Sequence, residues 1–108
     1  MTVQQFASQS GFKVISLPHP EREISGCYIG DLLSWVMGRC GAGELWITIM
    51  SNVNVVAVST LADTASVILA EGVTLDDEVL DVARSKGVNI LSTELSAYET
   101  ALAVSALI

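Results

Sequence analysis

Ile29-Gly30-Asp31-Leu32-Leu33-Ser34-Trp35-Val36-Met37 and, beyond a glycine-rich turn, Leu45-Trp46-Ile47-Thr48-Ile49-Met50 are the stretch on which the fold turns. Apolar residues at 29, 32, 33, 36 and 37 recur at helical spacing and predict one face of an amphipathic helix. Asp31 falls in its first turn, where a carboxylate offsets the positive end of the helix dipole. Gly38 and Gly41 supply stop signals. Residues 45–50 form a continuous apolar run rich in β-formers, which predicts a strand buried on both faces, as in a parallel sheet. A helix that feeds a central strand is the seed of an α/β domain.

Composition sets the outer limits. A chain of 108 residues makes one domain, and 51% hydrophobic residues give it a sizeable core. Twelve acids against five Lys and Arg leave a formal charge of −7. That balance argues against nucleic acid, whose phosphates draw affinity from Lys and Arg, and against anionic membrane surfaces. Polar residues interrupt each apolar run well before the roughly 20 residues that a membrane helix needs. Met1-Thr2-Val3-Gln4-Gln5 has no basic segment ahead of an apolar one, so the expectation is a cytoplasmic chain. Cys27 and Cys40 are not in a C-x-x-C arrangement and are expected as buried free thiols.

Outward from the central stretch, the N-terminal side opens with Thr2 and Gln5, which fit a capping box. Val3, Phe6 and Ala7 share a helical face, and Gly11 ends that helix. Residues 12–17 read as a strand, broken by Pro18-His19-Pro20, and 24–28 as a second short one. On the C-terminal side, the valine-rich run 52–63 has strand propensity, yet it does not alternate. Val58, Leu61, Ala62 and Ala65 fit a helical template behind Asn52 as N-cap, so the residues leave helix and strand open. Residues 66–70 read as a buried strand, and Thr74 as the cap of a helix with Asp76, Asp77 and Glu78 in its first turn. That helix buries Leu75, Val79, Val82 and Ala83 and ends at Gly87. Residues 88–91 form a strand, and Ser92 or Thr93 opens a last helix running to about Leu107. The alternation predicts an α/β single domain with a mostly parallel central sheet, flanking helices and right-handed crossovers.

Gly30–Met37, Trp46–Ile49, Asn54–Val58 and Leu95-Ser96-Ala97-Tyr98-Glu99 resemble the small stand-alone DRTGG-domain proteins of anaerobic bacteria. These are often described as related to the N-terminal domain of HPr kinase/phosphorylase. The resemblance covers nearly the whole chain, so residues 1–108 are expected to be one DRTGG-like domain. The name motif is absent as a literal string; Leu69–Glu78 is the matching region, with one glycine and an acidic helix start. The resemblance implies an α/β fold and tips 53–63 toward helix. It also implies a regulatory or accessory role rather than catalysis. Such domains accompany CBS modules in regulated pyrophosphatases, and stand-alone members tend to be encoded near iron-only hydrogenase and NADH-oxidoreductase subunits.

Gly38-Arg39-Cys40-Gly41-Ala42-Gly43 follows a helix and opens a strand, the reverse of a dinucleotide fingerprint, so it is expected as cap and turn. The chain has no G-x-x-x-x-G-K-[ST], and the kinase activity of the HPr kinase relatives does not transfer. His19, the only histidine, lies between prolines and lacks metal-ligand spacing to any partner. No metal and no cofactor are expected. Ligands of open parallel sheets bind outside the carboxyl ends of the strands. Those ends carry Ser51, Asn52 and Asn54, then Glu71, Gly72 and Thr74, then Ser92, Thr93 and Ser96. Small hydrogen-bonding residues at helix N-termini can hold an anion, but N-caps and turns want the same residues. No basic residue stands among them. The last helix is apolar beyond one stripe, which points to self-association, a homodimer being the commonest form.

The leading expectation is a non-catalytic regulatory module that binds a nucleotide or another small anion for a redox enzyme system. The alternative is a protein-interaction subunit of a hydrogenase or NADH-dehydrogenase-type complex with no ligand. No acid–base pair, nucleophile–base pair or metal set stands at a spacing that supports catalysis.

Overall fold

Leu45, Trp46, Ile47 and Thr48 are all buried, and the three apolar side chains divide between two cores on opposite faces of one sheet. They belong to strand β3 (Glu44–Thr48) of a computed structural model that describes residues 1–108. In chain order the elements are α1 (Val3–Ser10), β1 (Lys13–Ser16), β2 (Gly26–Ile29), α2 (Leu33–Arg39), β3, α3 (Val53–Ala62), β4 (Ser66–Leu69), α4 (Asp77–Ser85), β5 (Ile90–Ser92) and α5 (Ala97–Leu107). The sheet has the order β1-β5-β4-β3-β2. β2, β3, β4 and β5 are mutually parallel, and β1 runs antiparallel along β5 with Lys13 opposite Ser92.

The period-two alternation of the strands builds the two cores. Leu45, Ile47, Ile68 and Leu91 point to the face covered by α1 and α5, where they meet Val3, Phe6, Phe12 and Val104. Trp46, Val67, Leu69 and Ile90 point to the other face and meet Val36 of α2, Val55, Val56 and Val58 of α3, and Ala83 of α4. Strands buried on both sides need no amphipathic alternation, which is why β3 and β4 read as continuous apolar runs.

The local signals hold at several ends. Thr2 and Gln5 form the capping box of α1, and Gly11 closes it in the left-handed conformation at φ 75°. Residues 53–62 are helical: Asn52 Oδ1 accepts from the Asn54 amide, and tertiary packing of Val55, Val56 and Val58 overrides valine's strand propensity.

Three boundaries differ from expectation. Ile29 lies in β2 rather than in a helix, and α2 starts only at Leu33. Sheet pairing wins here: the Gly30 amide donates to the Ile47 carbonyl at 3.1 Å, and the Trp46 indole N–H donates to the Gly30 carbonyl at 2.9 Å. Asp31 therefore precedes the helix, and its carboxylate accepts from Thr48 Oγ1 (2.7 Å) and the Ile49 amide (3.0 Å), tying the ends of β2 and β3 together. Of the expected apolar face, Val36 is buried and Leu33 half-buried, while Ile29, Leu32 and Met37 are exposed, as is Trp35 beside them. The N-cap of α4 is Asp76 rather than Thr74. α5 opens at Ser96 rather than Ser92 or Thr93, because Ser96 and Glu99 make a reciprocal capping box. No helix is long and apolar enough to cross a membrane.

The segment Leu17–Ser25 joins β1 to β2, which sit on opposite edges of the sheet. It crosses the amino ends of the parallel strands and is stitched to each in turn. Asn89, just before β5, holds the backbone of His19. Asp63, before β4, pairs with Arg22, and the Ala42 carbonyl, before β3, accepts from Ser25 Oγ.

Candidate functional site

The three helices α2, α3 and α4 follow β2, β3 and β4 and pack on one face, whereas α5 follows β5 and packs on the other. The chain therefore leaves the carboxyl ends of the neighbouring strands β4 and β5 in opposite directions. A doubly wound sheet opens a crevice where adjacent connections diverge in this way. In this chain it is the gap between the loop 70–76 and the loop 93–96.

Two adjoining hollows flank that position, the first reaching both loops and the second only the loop 93–96. One, of about 290 Å³, is lined by Lys13, Leu69, Gly72, Thr74, Ser92 and Glu94 among others. The second, of about 410 Å³, lies over Gly11, Lys13, Ser92, Thr93 and Glu94. They share Lys13, Ser92 and Glu94. The loops that bound them are braced across their top: the Gly72 amide donates to the Thr93 carbonyl at 2.9 Å, and the Glu71 amide to the Leu95 carbonyl at 2.8 Å. Glu71 and Gly72 both hold positive φ, 61° and 70°, so the turn is tight, and a Cβ at Gly72 would run into the Glu94 carboxylate.

The eight expected site residues separate. Gly72, Thr74, Ser92 and Thr93 come together around these hollows. Ser51, Asn52 and Asn54 stand at the end of β3, away from them, and the Asn52 side chain is occupied as the cap of α3. Ser96 is likewise occupied by its own helix, and Thr93 Oγ1 accepts from the Leu95 amide at 3.2 Å. Thr74 is exposed and caps nothing, and Ser92 stands at the last position of β5, so both hydroxyls face the crevice unengaged by a cap.

Lys13 is the residue that the strand-end argument missed. As the first residue of an antiparallel edge strand, it lies where the parallel strands finish, directly opposite Ser92. The signal was present: the link from β1 to β2 holds no helix, and a parallel neighbour needs a crossover of a dozen or more residues, usually helical. Neither Lys13 nor Glu94 takes part in an ion pair. The crevice thus offers an ammonium, a carboxylate, two hydroxyls and an apolar wall of Ile15, Leu69, Val73, Leu75 and Leu80. Such a set can bind and orient a ligand; it holds no nucleophile–base pair. No three His, Cys, Asp or Glu side chains converge as metal ligands anywhere in the chain.

The two cysteines lie elsewhere, on opposite sides of the sheet, with Cys27 against the α1/α5 core and Cys40 in the other. Burial, reinforced by the Glu44 carboxylate, pushes both thiols up to about 11, which makes them poor nucleophiles.

The DRTGG domain family matches residues 22–107, nearly the full chain. The chain belongs to the DRTGG domain family. No curated protein matches it in sequence. Among solved structures, the CBS and DRTGG regulatory region of Clostridium perfringens pyrophosphatase, complexed with its activator diadenosine tetraphosphate, is similar with a TM-score of 0.73. Identity is 9%, and the match covers 95% of this DRTGG chain and 45% of that one. The chain spans less than half of that regulatory region, and at this identity the likeness concerns the fold.

Proposed function

We propose that this DRTGG-domain chain is a non-catalytic regulatory module that takes a small phosphate-bearing ligand of the nucleotide class in the crevice between β4 and β5. The observation that carries the reading is the convergence of Lys13 with Thr74 and Ser92 at the point where the connections diverge. Lys13 answers a phosphate, Glu94 can accept from an exocyclic base amine, and the apolar wall suits a ring. The second hollow is within the size range of small-ligand sites, and the first lies at its lower edge. The pyrophosphatase region of similar fold was solved with a nucleotide activator, which supports the same class. In this reading the ligand informs a cytoplasmic redox enzyme system, as the family resemblance implies.

A thermal-shift panel of adenine and guanine nucleotides, dinucleotides and simple anions tests it. A ligand at about a hundred times its Kd adds about 2.7 kcal/mol, which raises Tm by roughly 10–20 °C in a domain of this size. Lys13→Gln and Thr74→Val should abolish that rise. A flat response across the panel refutes the reading.

One observation favours the second reading, an accessory subunit without ligand. Ile29, Leu32, Trp35 and Met37 are exposed beside β2, an edge strand whose outer side pairs with nothing. Arg39 stacks over Trp35 at 4.2 Å and keeps the indole at the surface. A homodimer or a redox-enzyme partner would cover this face. Light scattering that finds a monomer at high concentration removes the homodimer, and a pull-down with Trp35→Ser as control tests the partner.

A further inference from the structure

Three of the chain's six basic side chains meet at the end of the sheet opposite the crevice. The chain has only five Lys and Arg and one His against twelve acids. Yet His19, Arg22 and Lys86 together line one cavity of about 180 Å³, with Ser59, Thr60, Asp63 and Thr64. The crossing segment Leu17–Ser25 brings His19 and Arg22 there, and the end of α4 brings Lys86.

Among the residues that line the cavity, cations outnumber carboxylates, with Arg22 and Lys86 against Asp63 alone. Asp63 is already taken by Arg22, with Nη1 to Oδ1 at 2.8 Å and Nη2 to the Asp63 carbonyl at 3.0 Å. Arg22 keeps further N–H donors beyond those two. Glu21 stands 3.7 Å from His19 Nδ1 among exposed side chains. Lys86 has no ion-pair partner at all. Ser59, 3% exposed, shares a single hydrogen bond of 2.5 Å with Thr64, so one of the two hydroxyl protons is left over for another acceptor. Gly87 lies against the imidazole: a Cβ there would stand 2.8 Å from His19 Nε2. The buried Asn89 side chain fixes the His19 backbone, so the cavity is preorganised.

The cavity continues into a groove. Thr60 and Lys86 also line a hollow of about 360 Å³ between α3 and α4, whose other walls are Val53, Val56, Ala57, Leu61 and Val82. A basic, hydroxyl-bearing head and an apolar trough thus share one rim.

We infer that this is a second binding site, for a small amphipathic anion: a phosphate or carboxylate head held by Lys86, His19 and Arg22, with a short hydrocarbon body lying along Val56, Ala57 and Leu61. It is independent of Lys13 and of the nucleotide reading.

Hexyl phosphate, hexanoate and inorganic phosphate are the probes, titrated into the full chain and followed by amide and methyl NMR. The expected result is that one of the two hexyl anions shifts the amides of Thr64, Lys86 and Gly87 and the methyls of Val56 and Leu61. Which of them binds more tightly names the head. It should bind at least tenfold more tightly than inorganic phosphate, since the body buries methylenes. Lys86→Gln, at an exposed and unpaired position, should weaken it about tenfold or more. Leu61→Ser should remove the advantage over inorganic phosphate, and Lys13→Gln should change nothing. The inference is overturned by unshifted spectra at millimolar probe, by shifts confined to the Lys13 crevice, by Lys86→Gln binding as well as the parent, or by a hexyl chain that adds no affinity.

Discussion

Asn89 is the most consequential polar residue in the chain, and its removal can be priced from the structure. The residue is 4% exposed. Its Oδ1 accepts from the His19 amide at 2.9 Å, and its Nδ2 donates to the His19 carbonyl at 2.8 Å and to the Ala65 carbonyl at 3.0 Å. One side chain thereby pins the crossing segment to the start of both β4 and β5. In Asn89→Ala the His19 groups, on an exposed residue, can turn to water, which limits their loss to about 1 kcal/mol each. The Ala65 carbonyl belongs to a buried residue and loses its partner where water does not reach, a further cost of about 1–3 kcal/mol. The total is about 3–5 kcal/mol, or a fall in Tm of more than about 12 °C. Urea unfolding measures it as a lower midpoint at unchanged slope. Asn89→Asp should cost at least as much at neutral pH, because an oxygen then faces two carbonyls. A loss below about 1 kcal/mol in both variants would show that the crossing segment is not held by this residue and would refute the reasoning.

Other outcomes follow from the same physics. With both thiols near 11, Cys27 and Cys40 should react with thiol reagents at pH 8 on the order of a hundredfold more slowly in the folded than in the unfolded chain. The raised value also means that the thiols' stabilising share is complete below about pH 8.5 and is lost as pH climbs toward 11, because the unfolded thiols ionise first. Arg22 holds the Asp63 carboxyl below its usual range, so its contribution is present above the unfolded carboxyl's value near 3.9 and disappears as pH falls through the folded one. Asp63→Asn, which keeps a residue tolerant of the left-handed backbone, should therefore differ from the parent by less than about 1 kcal/mol at pH 7, and the difference should shrink below about pH 4. Gly72→Ala should cost about 1–2 kcal/mol for its positive φ, plus the collision with Glu94, and adding Glu94→Ala should recover only the second part.

Fold class was legible because it rests on signals that act locally or repeat. The capping box at Thr2, the left-handed Gly11 and the apolar runs of β3 and β4 each depend on a few neighbouring residues. Segments whose outcome depends on a distant strand were not legible. Ile29 fits a helical spacing as well as a strand, and only its pairing with Ile47 decides. Residues 53–62 combine strand propensity with helical spacing, and only the core offered by Trp46 and Val67 decides for helix. Thr74 and Ser92 are competent caps by type, but each helix starts later, at Asp76 and at the reciprocal pair Ser96 and Glu99.

The site shows the same division at a longer range. Residue type picks out small polar groups at three strand ends, yet three of them are consumed where they stand: Asn52 by α3, Ser96 by α5, Thr93 by its own turn. What selects one gap is the direction in which each connection leaves the sheet, and that is a property of the whole topology. Charge placement is equally non-local. Lys13 stands beyond the reach of any spacing rule from Thr74 or Ser92, and only the antiparallel turn of β1 sets it opposite Ser92. His19, Arg22 and Lys86 look in the sequence like three scattered surface cations. They converge because β1 and β2 occupy opposite edges, which compels the segment between them to cross every parallel strand at its amino end. An antiparallel edge strand, which the helical and strand periods could not express, thus places Lys13 at one end of the sheet, and the segment that leaves it carries His19 and Arg22 to the other.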